Sequence, residues 1–150
     1  MNTIDNLIEQ LEITGNDLEG EVEFPMLGNN VLFTIGLSGT SEIEPSHRES
    51  ITWLYNNISS VFPLVEQAVF EYYQSVLPDY HLGLGEYADK LMPHIKEPSD
   101  VWCYVTDPGV FVFPEAEGGE IHLEFECTFD AEHGLRVVFK EESLLRVGLL

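Results

Sequence analysis

Hydrophobic and polar residues alternate most regularly in the segment Ile121–Phe139. Within 121–129 every second residue is apolar, which is the period of a strand that buries one face. The alternation pauses at 130–134 and then resumes. The pattern predicts a hairpin closed by a five-residue loop, in which Asp130 begins the turn and Gly134 takes a left-handed conformation at its end.

The register of this hairpin is predicted by pairing residues symmetrically about Glu132. That pairing places Phe125 opposite Phe139 and Glu124 opposite Lys140. Apolar pairs then fall on one face and polar pairs on the other. A slip by one residue would expose every apolar side chain, so we expect the register to be well specified.

The N-terminal part of the chain predicts a second hairpin. Residues 4–11 fit a helical stripe, although 11–13 fit a short strand equally well. Alternation over 21–25 and again over 31–37, on either side of a Gly-Asn-Asn turn at 28–30, predicts two paired strands, the first of them acidic.

A long helical pattern follows this hairpin. Ser46 and Glu49 have the spacing of a capping box, which marks a helix start. Apolar residues then recur at three- and four-residue steps over 51–77. Pro63 should kink or split the helix, because a proline inside a helix removes a hydrogen bond, and Pro78 should end the segment.

The C-terminal part predicts a meander of strands. Apolar runs at 101–105 and 110–113 are joined by Asp-Pro-Gly at 107–109, a type II turn signal, and a last strand covers 144–149. The sum is a single α+β domain over residues 1–150. Its mostly antiparallel sheet combines an N-terminal hairpin with the C-terminal meander, and the long helix, kinked or not, packs on one face.

Net charge narrows the functions that this fold can serve. The chain has 27 acidic and 6 basic residues, a formal net charge of −21, with no Lys or Arg before Arg48. Such a field repels phosphate backbones and anionic lipid surfaces, so we expect no nucleic-acid or membrane partner. It attracts a basic protein and speeds the encounter, although acidity that serves solubility alone remains an alternative.

Cysteine content and the N-terminus bear on the compartment. Cys103 and Cys127 are too few for a disulfide framework, and both lie in apolar strand patterns where buried, reduced thiols are expected. No apolar run approaches the ~18 residues that span a bilayer, and the first residues lack the basic and apolar segments of a secretion signal. We therefore expect a cytoplasmic protein without a cofactor; its oligomeric state is left open.

The C-terminal turn resembles one found in a bacterial family known as a domain of unknown function. The residues that carry the resemblance are Asp130, Glu132, His133, Gly134 and the pair at 147–148. In that family the turn is similar to Trp-Asp-x-Glu-His-Gly-x-Gly; here Phe129 replaces the Trp and Arg136 the second Gly. The resemblance implies no catalytic residues. Some related small acidic domains are suspected immunity proteins encoded beside toxins, so it implies an immunity-type role.

The same turn is the best candidate site. Asp130, Glu132 and His133 would need to converge to bind a metal or to act as an acid/base pair. We expect instead that Asp130 caps the turn and that His133 points away. We therefore predict that the chain has no catalytic residue and no metal ligand, and that the turn belongs to a partner-binding surface. Its residues are Asp130, Glu132, His133, Glu115, Glu117 and Glu120.

The other histidines carry weaker signals. His122 shares one strand face with two glutamates, spaced too widely to bind one small ion unaided, so a solvated polar row is expected. His47, His81 and His94 lack the partners of a metal motif and are expected at the surface.

Three hypotheses about function follow. The first is a non-catalytic acidic binding protein, an immunity-type inhibitor of a basic, nuclease-like toxin. The second is a metal-dependent or acid/base enzyme that uses the turn at 130–133. The third is a structural or oligomeric accessory domain.

Overall fold

Strands that follow one another along the chain also lie next to one another in the sheet, in the order β1 to β7. The computed structural model describes residues 3–37 and 42–149. Its helices and strands are α1 (Thr3–Glu9), β1 (Glu12–Thr14), β2 (Asp17–Phe24), β3 (Gly28–Gly36), α2 (Pro45–Leu84), α3 (Ala88–Leu91), β4 (Val105–Val112), β5 (Ile121–Cys127), β6 (Asp130–Lys140) and β7 (Ser143–Leu149). Single-turn or short 3-10 segments lie at Gly85–Tyr87, Pro98–Cys103 and Glu115–Glu117.

The sheet is mostly antiparallel, as predicted. Only β3 and β4 run parallel among the strand pairs of the described residues. A parallel pair needs a long crossover, and α2, the helix of 40 residues, lies within that connection. The α+β class and the long helix on one face are confirmed.

Apolar side chains of α2 pack on one face of the sheet. Trp53 contacts Phe139 with ring centroids 5.6 Å apart, and Trp102, from the segment before β4, lies 5.4 Å from Phe125. The fully buried residues of this core come from both layers: Val22, Phe24, Phe33, Ile35, Ile51, Leu54, Ile58, Tyr73, Val110, Leu123 and Val137. Burial of this apolar surface is the main stabilising contribution to the fold.

The second face of the sheet, the outer face, carries the residues that alternate with those of the core, and both polar and apolar side chains are among them. Two rows of register partners cross it. One row runs Glu21, Leu32, Gly109, Glu124, Arg136 and Gly148; the next runs Glu19, Thr34, Phe111, His122, Val138 and Arg146. Both rows begin with glutamate at the β2 side and reach arginine on β6 or β7, so charge changes sign across this face.

The predicted loop and register of the β5–β6 hairpin are wrong. The turn consists of Thr128 and Phe129, and Phe125 pairs with Leu135 rather than with Phe139. The turn lies earlier than predicted because Phe129 takes part in tertiary contacts, in which its ring packs on the rings of Tyr73 and Tyr80. The pairing moves by an even number of residues, so each side chain keeps its predicted face.

Gly134 was expected in a left-handed position, and it lies instead inside β6 without a positive φ. The N-terminal hairpin also differs in its turn. Residues 28–30 begin β3, and the reversal occurs at 25–27, where Leu27 N–H donates to the Phe24 carbonyl at 3.2 Å. Both interpretations of the first residues hold, because α1 is followed directly by β1.

The ends of α2 differ from prediction as well. The helix begins at Pro45 with Glu44 at its N-cap, so Ser46 and Glu49 do not form the capping box. Glu44 N–H donates to His47 Nδ1 at 2.9 Å. The helix is continuous through Pro63 and does not end at Pro78, which is followed by further helix to Leu84.

The Asp-Pro-Gly segment at 107–109 is a bulge within β4, not a turn between two strands. Thr106 pairs with Glu126 and Gly109 with Glu124, so the register with β5 shifts between them. The preceding run at 101–105 is also not a strand, because Val101 and Cys103 belong to a 3-10 segment. The predicted last strand is confirmed as β7.

Candidate functional site

Bulges in β4 and β6 open a groove of about 520 Å³ on the outer face. In β6, residues 131–134 all lie opposite the single residue Glu126 of β5, so the chain widens there. We name this the acidic groove. Its carboxylates are Asp107, Glu124, Glu126, Asp130 and Glu132, and Leu32, Thr34, Val110 and His133 also line it.

Asp130 is held by a hydrogen-bond network that joins α2 to β6. The Tyr80 hydroxyl donates to Asp130 Oδ2 at 2.5 Å, and the His133 backbone N–H donates to Oδ1 at 3.0 Å. Burial by itself would raise the pKa of Asp130, but the hydrogen bonds from Tyr80 and His133 lower it below its ordinary value. Asp130 is thus a fixed anion that anchors the bulge to the helix.

His133 does not point away from the carboxylate, which corrects the prediction. Its Nδ1 lies 3.2 Å from Asp130 Oδ1, and its side chain is 52% exposed while that of Asp130 is 13% exposed. Imidazole and carboxylate therefore converge at the mouth of the groove. Glu132 is exposed beside them.

Glu124 is a half-buried carboxylate that lines the groove. Burial raises its pKa, and the charge of Arg136, its register partner on β6, partly opposes that shift. The ionised form of a carboxylate that burial keeps from water is stabilised by a positively charged side chain placed beside it, and a carboxylate with a pKa perturbed in this way marks a candidate binding site.

The cysteines supply no nucleophile to the groove. Burial raises the pKa of the Cys127 thiol to about 12, so it stays protonated at neutral pH. Cys103 was expected to be buried, but it is exposed, because it lies in the 3-10 segment rather than in a strand.

The other predicted partner-binding residues lie far from the groove. Glu115, Glu117 and Glu120 precede β5, whereas Asp130 follows it, and a strand of 7 residues spans roughly 20 Å. The predicted six-residue surface is therefore not brought together. Glu115 and Glu117 are exposed in the turn before β5.

Glu120 is partly buried and contacts two side chains of the sheet. Its Oε1 lies 3.0 Å from His122 Nε2, and its Oε2 lies 3.6 Å from Arg146 Nη1. The hydrogen bond with His122 lowers the pKa of Glu120, against burial, and Arg146 adds to the lowering. Glu120 is thus paired with His122 of β5 and lies close to Arg146 of β7.

Two histidines expected at the surface are buried. His122 is 2% exposed, with its ring 4.5 Å from that of Phe113, and burial lowers its pKa. His47 is fully buried, and its Nε2 lies 2.8 Å from the Gly36 carbonyl, which joins α2 to β3. His81 is partly buried beside the Met92 carbonyl, and only His94 is exposed as expected.

Four residues of the groove were not among the predicted site residues: Asp107, Leu32, Glu124 and Glu126. The two glutamates were expected only as members of a solvated polar row beside His122. Asp107 stands in a segment whose residues favour a turn, and its φ of 55° places it in the left-handed region. Leu32 reaches the groove because β3 and β4 pair in parallel, a long-range pairing for which the local pattern has no signal.

Within the residues that the structure describes, no three His, Cys, Asp or Glu side chains are arranged so as to hold a metal ion. In the same residues, every helix is too short or too polar to cross a membrane.

Fold and site together define an acidic α+β domain whose open sheet face carries a carboxylate-lined groove. The chain belongs to the family described as a domain of unknown function, DUF6985, which matches residues 7–150. The match covers the whole sheet and α2. No curated protein and no solved structure matches the chain.

Proposed function

We propose that this chain is a non-catalytic binding protein whose acidic groove holds a basic segment of a partner protein. The observation that carries the proposal is Glu124, a half-buried carboxylate that lines the groove together with the exposed Glu126 and Glu132. The positive charge of a lysine or arginine side chain placed there would compensate for the desolvation of Glu124 and pair with the neighbouring carboxylates.

The partner class that fits best is a basic bacterial toxin of the nuclease kind, with this chain as its immunity-type inhibitor. A nuclease presents cations to phosphate groups, and the carboxylates of the groove would substitute for those phosphates. The net charge of −21 would speed the encounter. We place both proteins in the cytoplasm, since the exposed, unpaired Cys103 suits a reducing compartment.

A binding measurement with a labelled, arginine-rich peptide tests the groove. The double variant Glu126→Gln/Glu132→Gln should weaken binding about tenfold, which corresponds to about 1.4 kcal/mol. The matched control is Glu115→Gln/Glu142→Gln, which removes the same charge from residues that do not line the groove. It should change the affinity by less than about twofold, as expected for charges beyond the screening length.

Equal weakening in the two double variants would contradict the proposal, because the peptide would then respond to total charge alone. Adding salt should weaken binding to the wild-type groove steeply, since the contacts are ionic.

A second candidate function, acid/base catalysis, is favoured by one observation. Asp130 lies 3.2 Å from His133 Nδ1 and could orient the imidazole as a general base. This alternative is tested by incubating the chain with ester and phosphodiester substrates. Hydrolysis that disappears in the His133→Gln variant, while peptide binding persists, would favour the enzyme.

A further inference from the structure

A second cavity, of about 610 Å³, lies at the other end of the sheet from the acidic groove. It is bounded by the first turns of α2, the loop before β5 and the turn between β6 and β7. Three aromatic side chains line it: Trp53, Phe113 and Phe139. The rings of Trp53 and Phe139 are tilted by 59° to each other. We name this the aromatic cavity.

The charged residues around the aromatic cavity are mostly anionic. Its lining includes four glutamates and one lysine: Glu49, Glu115, Glu141, Glu142 and Lys140. The N-terminus of a helix such as α2 favours anions. Four carboxylates outweigh that preference, and phosphate or carboxylate ligands are therefore excluded.

One polar atom in the wall lacks a partner. Ser46 Oγ is inaccessible to solvent and, among the described residues, makes no hydrogen bond. Ser46 also lines the aromatic cavity. A buried hydroxyl without a partner is unfavourable, and rotation of the Ser46 side chain into the cavity would let its oxygen bond to a ligand that carries an N–H group.

We propose that the aromatic cavity binds a small organic cation, an amine with an apolar body such as an alkylammonium or polyamine. Aromatic faces attract organic cations within about 6 Å, with Trp the strongest, and the glutamates would neutralise the charge. Once its side chain has rotated into the cavity, Ser46 Oγ would accept a hydrogen bond from an N–H group of the ligand. A hydrated metal ion gains nothing from the rings, because Mg²⁺ retains several of its waters.

This proposal does not depend on the proposed function, because the two sites share no lining residue. The two sites would also bind different ligands, because the acidic groove has no tryptophan in its lining and lies on the outer face.

Fluorescence provides the test. The chain has two tryptophans, so the Trp102→Phe variant leaves Trp53 as its only one. Titration with spermidine should change the Trp53 emission in a saturable way, and magnesium chloride at matched ionic strength should not. Calorimetric titration of the wild-type chain with spermidine provides a second measurement that does not require this variant to fold.

The two double variants proposed for the acidic groove also test this cavity, with the test variant and the control variant exchanged. Glu115→Gln/Glu142→Gln should weaken spermidine binding about tenfold, and Glu126→Gln/Glu132→Gln should leave it within about twofold. Equal weakening by both would show that spermidine responds only to the overall charge and would overturn the proposal. An equal response to magnesium, or no saturable binding in either measurement, would also overturn it.

Discussion

Asp130 is the residue that ties the candidate site to the core. It accepts hydrogen bonds from Tyr80 of α2 and from His133 of its own strand. The Asp130→Asn variant should lower the free energy of unfolding at neutral pH by about 1–3 kcal/mol, because a charged acceptor is lost from a largely buried position. Urea unfolding measures the change.

The pH dependence of this loss has a definite sign. The folded-state pKa of Asp130 is lowered, so its stabilisation is present above the unfolded-state pKa and disappears as pH falls through the folded-state value. The wild type and Asp130→Asn should therefore converge in stability in acid. A difference that stays constant with pH would contradict this account of Asp130.

Glu124 should show the opposite behaviour. Burial raises its pKa, so its ionised form opposes folding at neutral pH and the penalty is relieved as pH falls through the raised value. The Glu124→Gln variant should raise the free energy of unfolding at pH 7 by up to about 1 kcal/mol. The same variant should bind the arginine-rich peptide more weakly, a trade of function for stability.

Urea unfolding and peptide binding, measured on the same preparation of Glu124→Gln, check both halves of that expectation. Stronger or unchanged peptide binding would remove Glu124 from the proposed site, whatever its effect on stability.

At the scale of elements, the turn between β6 and β7 carries backbone strain. Glu141 and Glu142 have φ values of 52° and 64°, the left-handed region that favours Asn and Gly. Replacing them, Glu141→Asn with Glu142→Gly, should raise the free energy of unfolding by about 1–2 kcal/mol, because each left-handed non-glycine residue costs roughly 1 kcal/mol.

Thermal unfolding measures this gain, and Glu141→Gln/Glu142→Gln provides the matched control. The control removes both charges but keeps both β-carbons, so it should gain much less. Equal stabilisation of the two variants would assign the effect to charge repulsion instead of backbone conformation.

The sequence predicts which face of each strand is buried. It does not predict where the β5–β6 turn lies or that β3 pairs with β4. Period-two alternation assigns Leu123 and Val137 to the core correctly. The position of the β5–β6 turn depends on Phe129, whose burial against helix α2 overrides the local preference of Asp130 for a turn. Pairing between β3 and β4 joins distant segments, so no local pattern could indicate it.

Across the whole molecule, charge of one sign opposes compaction. With a net charge of −21, self-repulsion should destabilise the folded state at low ionic strength. Raising sodium chloride to about 0.5 M should therefore raise the melting temperature, since screening shortens the range of repulsion. A melting temperature that is unchanged or falls would contradict this expectation.

The residues of the candidate site were predicted only in part, because the groove is formed by strands that are distant in sequence. Asp130, Glu132 and His133 do line the acidic groove, whereas the basic partner stays a prediction from charge composition. Glu115 and Glu120 are separated from them by the length of β5. Residues that precede a strand and residues that follow it are close in sequence but lie at opposite ends of that strand, so they do not form one surface.

The most direct measurement is a nuclear magnetic resonance titration of the ¹⁵N-labelled chain with the arginine-rich peptide. If the peptide binds in the acidic groove, changes in amide chemical shift should concentrate at Glu124, Glu126 and residues 131–134. They should be absent at Glu9 of α1 and Asp89 of α3, exposed acids that do not line the groove. Shifts spread evenly over acidic residues throughout the chain would contradict the account, because binding would then follow total charge and not the groove.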